Sequence, residues 1–372
     1  MKKIAIIGAG VSGLFFANLL KSNSNYDFTI FEKNTSVNME NGYGIQLSPN
    51  SVKLLNEIGF KNLDINNFFN PKKISFINAK DNKKICDLDI SKFNDYNNHY
   101  TTLKRSTLLK FLFDGISKEK IMFNTHLKKL NFKNKINLSF NQNYKKEFDY
   151  LVVSDGVFSN TKSIIFNKEI KPKYYNSLAL RGNINNYPSD DISLYFGPNF
   201  HFAIYPINKK KEYNFILIVK KKLLDKKIYK DEDFLKSITK ELYKKTDVKL
   251  DGKLNNLKSF PIYISQKLEV PDKKNIFFLG DALFTMPPSF AQGASQSIES
   301  SKELFDQIIN NKDTYYKKRI KKINSIHWRS KLNYFSFQLS NPMLIFFRNF
   351  ILKRIINNNR FLDSYLGKIY KN

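Results

Sequence analysis

The sequence predicts an α/β protein, α+β overall: a Rossmann-like nucleotide-binding unit, an interleaved β-sheet domain and a helical C-terminal region. Three observations predict it. The chain opens on an apolar strand, a Gly-rich turn and a helix; two later apolar runs end in Asp155-Gly156 and Gly280-Asp281; and strand-like runs set apart by turn residues fill the intervals. With 372 residues, the chain is long enough for two or three structural units. Its 42% hydrophobic and 15% aromatic content supplies a large core and excludes a disordered chain.

Along the chain, residues 3–7 (KIAII) read as a strand, Gly8-Ala-Gly10-Val-Ser-Gly13 as a tight turn, residues 11–21 as a helix and residues 28–32 (FTIFE) as a second strand. The glycine spacing has a chemical reason. The first permits the turn, the second lets a pyrophosphate approach the backbone, and the third brings helix and strand together. Phosphates then sit on the helix N-terminus, where Val11 and Ser12 lie. Glu32 follows Gly13 by 19 residues and, next to Lys33, is placed to accept hydrogen bonds from an adenosine ribose. Strand, turn, helix, strand and acid together mark a dinucleotide site.

Residues 150–156 (YLVVSDG) and 276–281 (IFFLGD) each read as an apolar strand leading to an acid, Asp155 and Asp281. An acid at a strand's C-terminal end points into the crevice where open α/β sheets bind ligands. There it accepts a hydrogen bond from a ribityl hydroxyl. The stretch ALFTMPPSFAQGASQSIESS then leads through a loop into a helix beginning near Gln292-Gly293. Its first amides, around Gly293 and Ala294, would face a flavin C2 carbonyl, where reduced flavin carries negative charge. These features make the dinucleotide FAD.

Four segments carry a family resemblance: GAGVSG with Glu32, TTLKRSTLLKFL with Arg105, VSDGVFSNTKS, and LGDALFTMPPSFAQGASQSIE. Over roughly residues 1–310 the chain resembles the group A flavoprotein monooxygenases of the para-hydroxybenzoate hydroxylase fold. GYGIQLSPNSVKLLNEIGF (42–60) and LYFGPNFHFAIYPI (194–207) are most similar to the salicylate hydroxylase branch. The expected FAD unit is discontinuous, from residues 1–69, 101–171 and 269–310. Residues 70–100 and 172–268, with runs such as SLALRGNI, FHFAIYP and NFILIVK, form the substrate sheet, and residues 311–372 a basic helical region. A Lys-rich helical stretch over 221–258 lies outside the pocket.

The resemblance implies non-covalent FAD, NADH or NADPH as a transient co-substrate, and O2. The implied reaction hydroxylates an aromatic or other electron-rich substrate through a flavin C4a-hydroperoxide. Two other activities stay open, hydroxylation of a ubiquinone-type precursor at a membrane and reduction of an unsaturated lipid. By resemblance, Arg105 reaches the FAD ribose or pyrophosphate, Gly280 and Asp281 contact the flavin, and Gln292, Gly293 and Ala294 stabilise its anion. Asp155 serves FAD and the nicotinamide donor, or else caps the next helix. Gln46 passes near the isoalloxazine edge or is a plain loop residue; Arg181 meets nicotinamide phosphates or forms a surface salt bridge. Three departures stand out. Lys162 replaces an arginine, Phe284 a histidine, and Ile204 the histidine before Tyr205-Pro206. His201 shares a strand face with Tyr205, as a proton carrier or simply packed.

One cysteine and four histidines at no ligand spacing argue against a disulfide framework or a metal centre. Lys+Arg 62 against Asp+Glu 33 gives +29, yet no nucleic-acid motif accompanies it, so nucleic acid is not an expected partner. No apolar run reaches 18 residues, and the N-terminal glycines argue against a signal peptide, so a cytoplasmic protein is expected. The expected substrate is a small aromatic or apolar molecule; the oligomeric state stays open. Residues 310–372 hold 14 Lys+Arg and 2 Asp, and Pro342 opens a helix rich in Phe and Ile. Two readings of that helix stay open: it packs Phe346, Phe347 and Phe350 onto the FAD unit, or it rests peripherally on an anionic membrane at the inner face.

Overall fold

The computed structural model describes residues 1–37, 39, 43–222, 229, 231–248 and 254–371. Residues 38, 40–42 (with Gly42 of the segment 42–60), 372 and, in the Lys-rich stretch 221–258, residues 223–228, 230 and 249–253 lie outside the described residues. Within that stretch Glu232–Lys244 is a helix, capped by the Asp231 side chain.

A five-stranded parallel sheet is ordered Ile276–Phe278, Tyr150–Val153, Lys2–Ile7, Tyr26–Phe31 and Ile121–Met122. Ile4, Ile6, Ile30, Leu151 and Val152 are fully buried, as near-continuous apolar runs in a parallel sheet should be. The helices Val11–Leu20 and Gly293–Ile309 pack on one another beside this sheet. A three-stranded antiparallel meander, Leu127–Phe132, Ile136–Phe140 and Lys145–Phe148, adds Phe140 and Phe148 around Phe31.

The second large sheet has seven strands, ordered Leu254–Ile264, Lys173–Asn185, Glu212–Lys220, Phe200–Pro206, Ile192–Gly197, Lys73–Asn78 and Lys84–Asp89. Its one parallel pair joins Lys73–Asn78 to Ile192–Gly197, so segments far apart in sequence share it. The remaining pairs are antiparallel. Alternation along Phe200–Pro206 sends His201, Ala203 and Tyr205 to the face that lines a central cavity.

The C-terminal region is woven into both units. Helix Tyr315–Phe337 buries Tyr315, Arg319, Ile323, Ile326, Ser330, Tyr334 and Phe337, a stripe of helical period. The Tyr315 hydroxyl donates to the Phe278 carbonyl of the parallel sheet at 2.7 Å. Leu362, Leu366, Ile369 and Tyr370 then pack into a cluster with Phe76, Ile192 and Phe196 of the seven-stranded sheet. Helix Pro342–Ile355 differs: it has no buried residue. The packing of Phe346, Phe347 and Phe350 onto the FAD unit is therefore not what the fold does, because all three rings point outward.

Candidate active site

The first strand ends at Ile7, and Gly8 turns the chain with φ +102. A Cβ there would stand 2.6 Å from the Ser154 carbonyl oxygen, and one on Gly13 would stand 2.2 Å from the Gly8 oxygen. Both glycines are thus demanded by packing. Gly10 is not: its nearest potential neighbour is Ser154 O at 4.0 Å. The open side of Gly10 is where a group outside the protein can approach the backbone. Helix Val11–Leu20 has no side-chain cap and no acid in its first turn, so its amides are free for an anion.

Glu32, buried just past the second strand, accepts from the Ala9 amide and the Asn34 amide, both at 2.9 Å. This fixes the carboxylate over the glycine turn. Lys33 is exposed beside it, and Ser12 uses its carbonyl to accept from Ser301 of the facing helix at 3.0 Å.

The second cluster faces a cavity of about 910 Å³ lined by the seven-stranded sheet, the segment around 280–296 and the C-terminal helices. The third apolar strand ends at Phe278, and Gly280–Leu283 forms a short helix, so Asp281 sits on a helical turn rather than on the strand end. Gly280 has φ +54, and a Cβ there would meet Ser12 Oγ at 2.8 Å, which locks this turn against the first helix. The Asp281 carboxyl opens onto the cavity while protein surrounds it; burial raises its pKa to about 6, against the opposing pull of Arg105. Arg105 begins helix Arg105–Asp114, its amide held by the Tyr43 carbonyl at 2.8 Å. Burial and the charge of Arg181 lower its pKa, and Asp281 raises it. Arg105, Arg181 and Asp281 therefore share one wall.

Arg181 lies on strand Lys173–Asn185, facing the cavity beside Tyr205 and Tyr43, and has no acidic partner among the described residues. It is not part of a surface salt bridge. Gln46 sits on the short strand Gly44–Leu47 and accepts from the Tyr100 hydroxyl at 2.6 Å. Tyr205 also hydrogen-bonds Gln46 and Asn214, and burial pushes its pKa up to about 12. Gln46 is thus a fixed bridge between two tyrosines, not a plain loop residue.

Asp155 follows strand Tyr150–Val153; its Oδ2 accepts from the Thr161 amide at 3.3 Å, while Oδ1 has no partner. Burial raises its pKa. The cap of helix Asn160–Phe166 is Ser159, accepting from the Lys162 amide at 3.0 Å, so Asp155 is not the N-cap. Lys162 turns inward and donates to the Leu283 carbonyl at 3.2 Å. The lysine thereby ties the Asp155 segment to the Asp281 segment.

Helix Gly293–Ile309 starts after Ala291, which sits at φ +52, a left-handed conformation unusual for alanine. Gln292 is the N-cap but its side chain caps no helix amide, accepting instead from Gln296 Nε2 at 3.2 Å, and a Cβ on Gly293 would meet nothing within 4 Å. The amides of Gly293 and Ala294 are thus the unpaired donors of the first turn, at the cavity wall.

His201 is buried between Gln338, whose Nε2 stands 2.9 Å from Nδ1, and Ser289, 3.4 Å from Nε2. Burial holds its pKa down to about 3. A neutral ring with a protein group beside each nitrogen favours the packed reading of His201 over the proton carrier, although the ring also lines the cavity.

Sequence reasoning missed two cavity residues of the C-terminal region. Arg319, 1% exposed, pairs with Glu303 at 2.7 Å and Glu299 at 3.5 Å, and donates to Gln296 Oε1 at 3.3 Å. It thus clamps helix Gly293–Ile309 from behind. The signal was present: Arg319 occupies a position of the buried stripe, where a charge needs partners. Arg348 lies 4.6 Å over the Phe196 ring and donates to the Ser336 carbonyl at 3.0 Å. Burial lowers its pKa to about 10.

The residues fit a bound FAD: Gly10 and Gly293 leave room for a group outside the protein, an Asp155 oxygen is buried without a partner, and two helices begin without a side-chain cap. Comparison with known proteins agrees. Residues 1–312 match the FAD binding domain family. A 3-amino-4-hydroxybenzoate 2-monooxygenase, PtnB3, of Streptomyces platensis is 22% identical over 88% of this chain and 87% of its own length. A 6-hydroxynicotinate 3-monooxygenase of Pseudomonas fluorescens is 21% identical over 80% of each. Among solved structures, Klebsiella pneumoniae HpxO complexed with FAD and uric acid superposes with TM-score 0.85 at 17% identity, covering 98% of this chain and 97% of that one. A salicylate hydroxylase substrate complex superposes at 0.77, with 14% identity over 100% and 95%.

Proposed function

The chain belongs to the FAD binding domain family, and from that premise we propose that it is an FAD-dependent monooxygenase using NADH or NADPH and O2 to hydroxylate a small, electron-rich aromatic substrate. The observation that carries this reading is that Gly293 and Ala294, at an uncapped helix N-terminus, line one largely apolar cavity together with Asp281 and Arg105. When bound, FAD supplies reduction by the nicotinamide donor and activation of O2.

The residues divide the remaining tasks. Gly10, Val11, Ser12 and Gly13 receive the pyrophosphate, Glu32 with Lys33 the ribose, and Arg105 and Asp281 the middle of the cofactor. Gly293 and Ala294 place helix-end amides against developing negative charge, worth most in a dry site. Ile74, Phe76, Ile192, Leu194 and Ile218 exclude water around the substrate. Tyr205 stays protonated at neutral pH and so keeps a hydroxyl proton to donate, and Arg181 beside it favours a substrate with a phenolate or carboxylate. Among the described residues no helix is long and apolar enough to cross a membrane; the basic C-terminal face adds peripheral contact with an anionic membrane to the reading.

NAD(P)H consumption across hydroxybenzoates, hydroxypyridines and apolar phenols, with 18O2 and mass analysis of products, tests it. Labelled hydroxylated product from at least one aromatic is expected. Peroxide alone with every compound would overturn it.

A further inference from the structure

Helix Pro342–Ile355 inverts the usual soluble pattern. Its inner face, Ile345, Arg348, Leu352 and Ile356, carries the arginine, while its outer face carries Met343, Phe346, Phe347 and Phe350. Phe346 is 67% and Met343 68% exposed. On helix Tyr315–Phe337, Trp328, Leu332 and Phe335 follow at i, i+4 and i+7, so they share one exposed stripe. These two helices carry most of the exposed large hydrophobics among the described residues. An apolar patch of this extent marks an interaction surface.

Charge selects the occupant. From residue 314 to 362 there are eleven Lys or Arg and no Asp or Glu. Lys353 and Arg354 are exposed beside the phenylalanines. A second copy of a chain carrying +29 would bring like charges together. An anionic lipid surface answers both features, with aromatic side chains entering the interface and basic ones meeting headgroups. The cavity lies just behind: Leu332, Phe335 and Ile351 are exposed and also line it.

We propose that the outer face of these two helices is a docking surface for an anionic bilayer, and that the active-site cavity opens onto it. This rests on the monooxygenase reading only for what the cavity does. An aromatic substrate dissolved in lipid then reaches the cavity between Phe335 and Ile351 without crossing water.

The chain's single tryptophan, Trp328, 61% exposed within the patch, is a built-in reporter. The holoprotein is mixed with vesicles of phosphatidylcholine alone, or with phosphatidylglycerol added, some lipid chains being brominated. With anionic vesicles the protein sediments, Trp328 emission shifts to the blue, and bromine quenches it; added salt reverses all three. Phe346→Ser with Phe347→Ser weakens vesicle binding about tenfold or more. Lys353→Glu with Arg354→Glu weakens it without removing apolar surface. Both variants keep wild-type FAD content and melting temperature. Full recovery in the supernatant, or equal binding to neutral and anionic vesicles, overturns the proposal. So does a dimer that shields Trp328 in lipid-free solution. NAD(P)H oxidation without vesicles is measured on the same samples. Its loss with vesicle binding intact would count against the enzyme reading alone.

Discussion

Gly10 and Gly13 sit three residues apart in one turn, yet the structure assigns them opposite failure modes. Gly13→Ala places a methyl 2.2 Å from the Gly8 carbonyl oxygen and 2.6 Å from Ser154 Oγ. The first contact is backbone on backbone, so it cannot be relieved by a rotamer change. Overpacking of this kind costs about 1–3 kcal/mol, and the upper end applies here. Alanine's better helix propensity returns only about 0.5–1 kcal/mol. The net loss is about 2 kcal/mol, or a fall of a few degrees in melting temperature. Gly10→Ala is different. Its φ of −84 and ψ of −175 suit any residue, and its nearest potential neighbour is 4.0 Å away. Apoprotein stability should change by no more than about 0.5 kcal/mol. The methyl instead stands where the pyrophosphate must approach, at about 1–3 kcal/mol, or roughly 5- to 150-fold in FAD affinity. Calorimetry of the apoprotein and FAD titration by flavin fluorescence separate the two. Wild-type FAD affinity in Gly10→Ala would show that the phosphates do not use this turn.

Three further outcomes follow from the site. Asp281 is raised in the fold, so it favours the folded apoprotein below its unfolded pKa, and that advantage is lost as pH climbs through about 6. FAD affinity should rise with pH through the same window, as the carboxylate becomes an acceptor, and be flat in Asp281→Asn; an unchanged profile in that variant would remove Asp281 from the cofactor contact. His201→Gln should retain turnover within about tenfold and keep the wild-type pH profile; loss of a limb near neutrality would restore His201 as a base. Arg319→Met takes the buried cation from Glu303 while Glu299 keeps Lys322, at about 3 kcal/mol, read as a lower denaturant midpoint; an unshifted midpoint would mean the clamp holds nothing.

What the sequence made legible was whatever local chemistry dictates. Gly8 and Gly13 are forced by backbone contacts, and the apolar runs ending before Asp155 and Asp281 are forced by a sheet buried on both faces. The start of helix Gly293–Ile309 was read within a residue. The short helix at Gly280–Leu283 was not, because a four-residue element is set by what packs on it, here Ser12 and Ser297. His201 was read as a proton carrier or as packed since its strand position was visible, while Gln338, which engages its ring, lies 137 residues away. Helix Pro342–Ile355 shows the same limit: composition revealed its apolar residues, but only tertiary packing decides which side faces the protein.

The parallel pairing of Lys73–Asn78 with Ile192–Gly197 constrains how this protein can be re-engineered. Between those strands the chain departs to build Tyr150–Val153, an interior strand of the other sheet, then returns. Any single cut between those two strands therefore severs both sheets, and a fragment of either leaves unpaired strand edges. A chimera carrying a foreign substrate pocket would have to exchange two separated segments and the C-terminal helices in one step. Recombination between homologues at a single crossover would scramble the pocket while preserving each motif, so shuffled libraries of this scaffold should yield many folded-looking sequences and few functional ones.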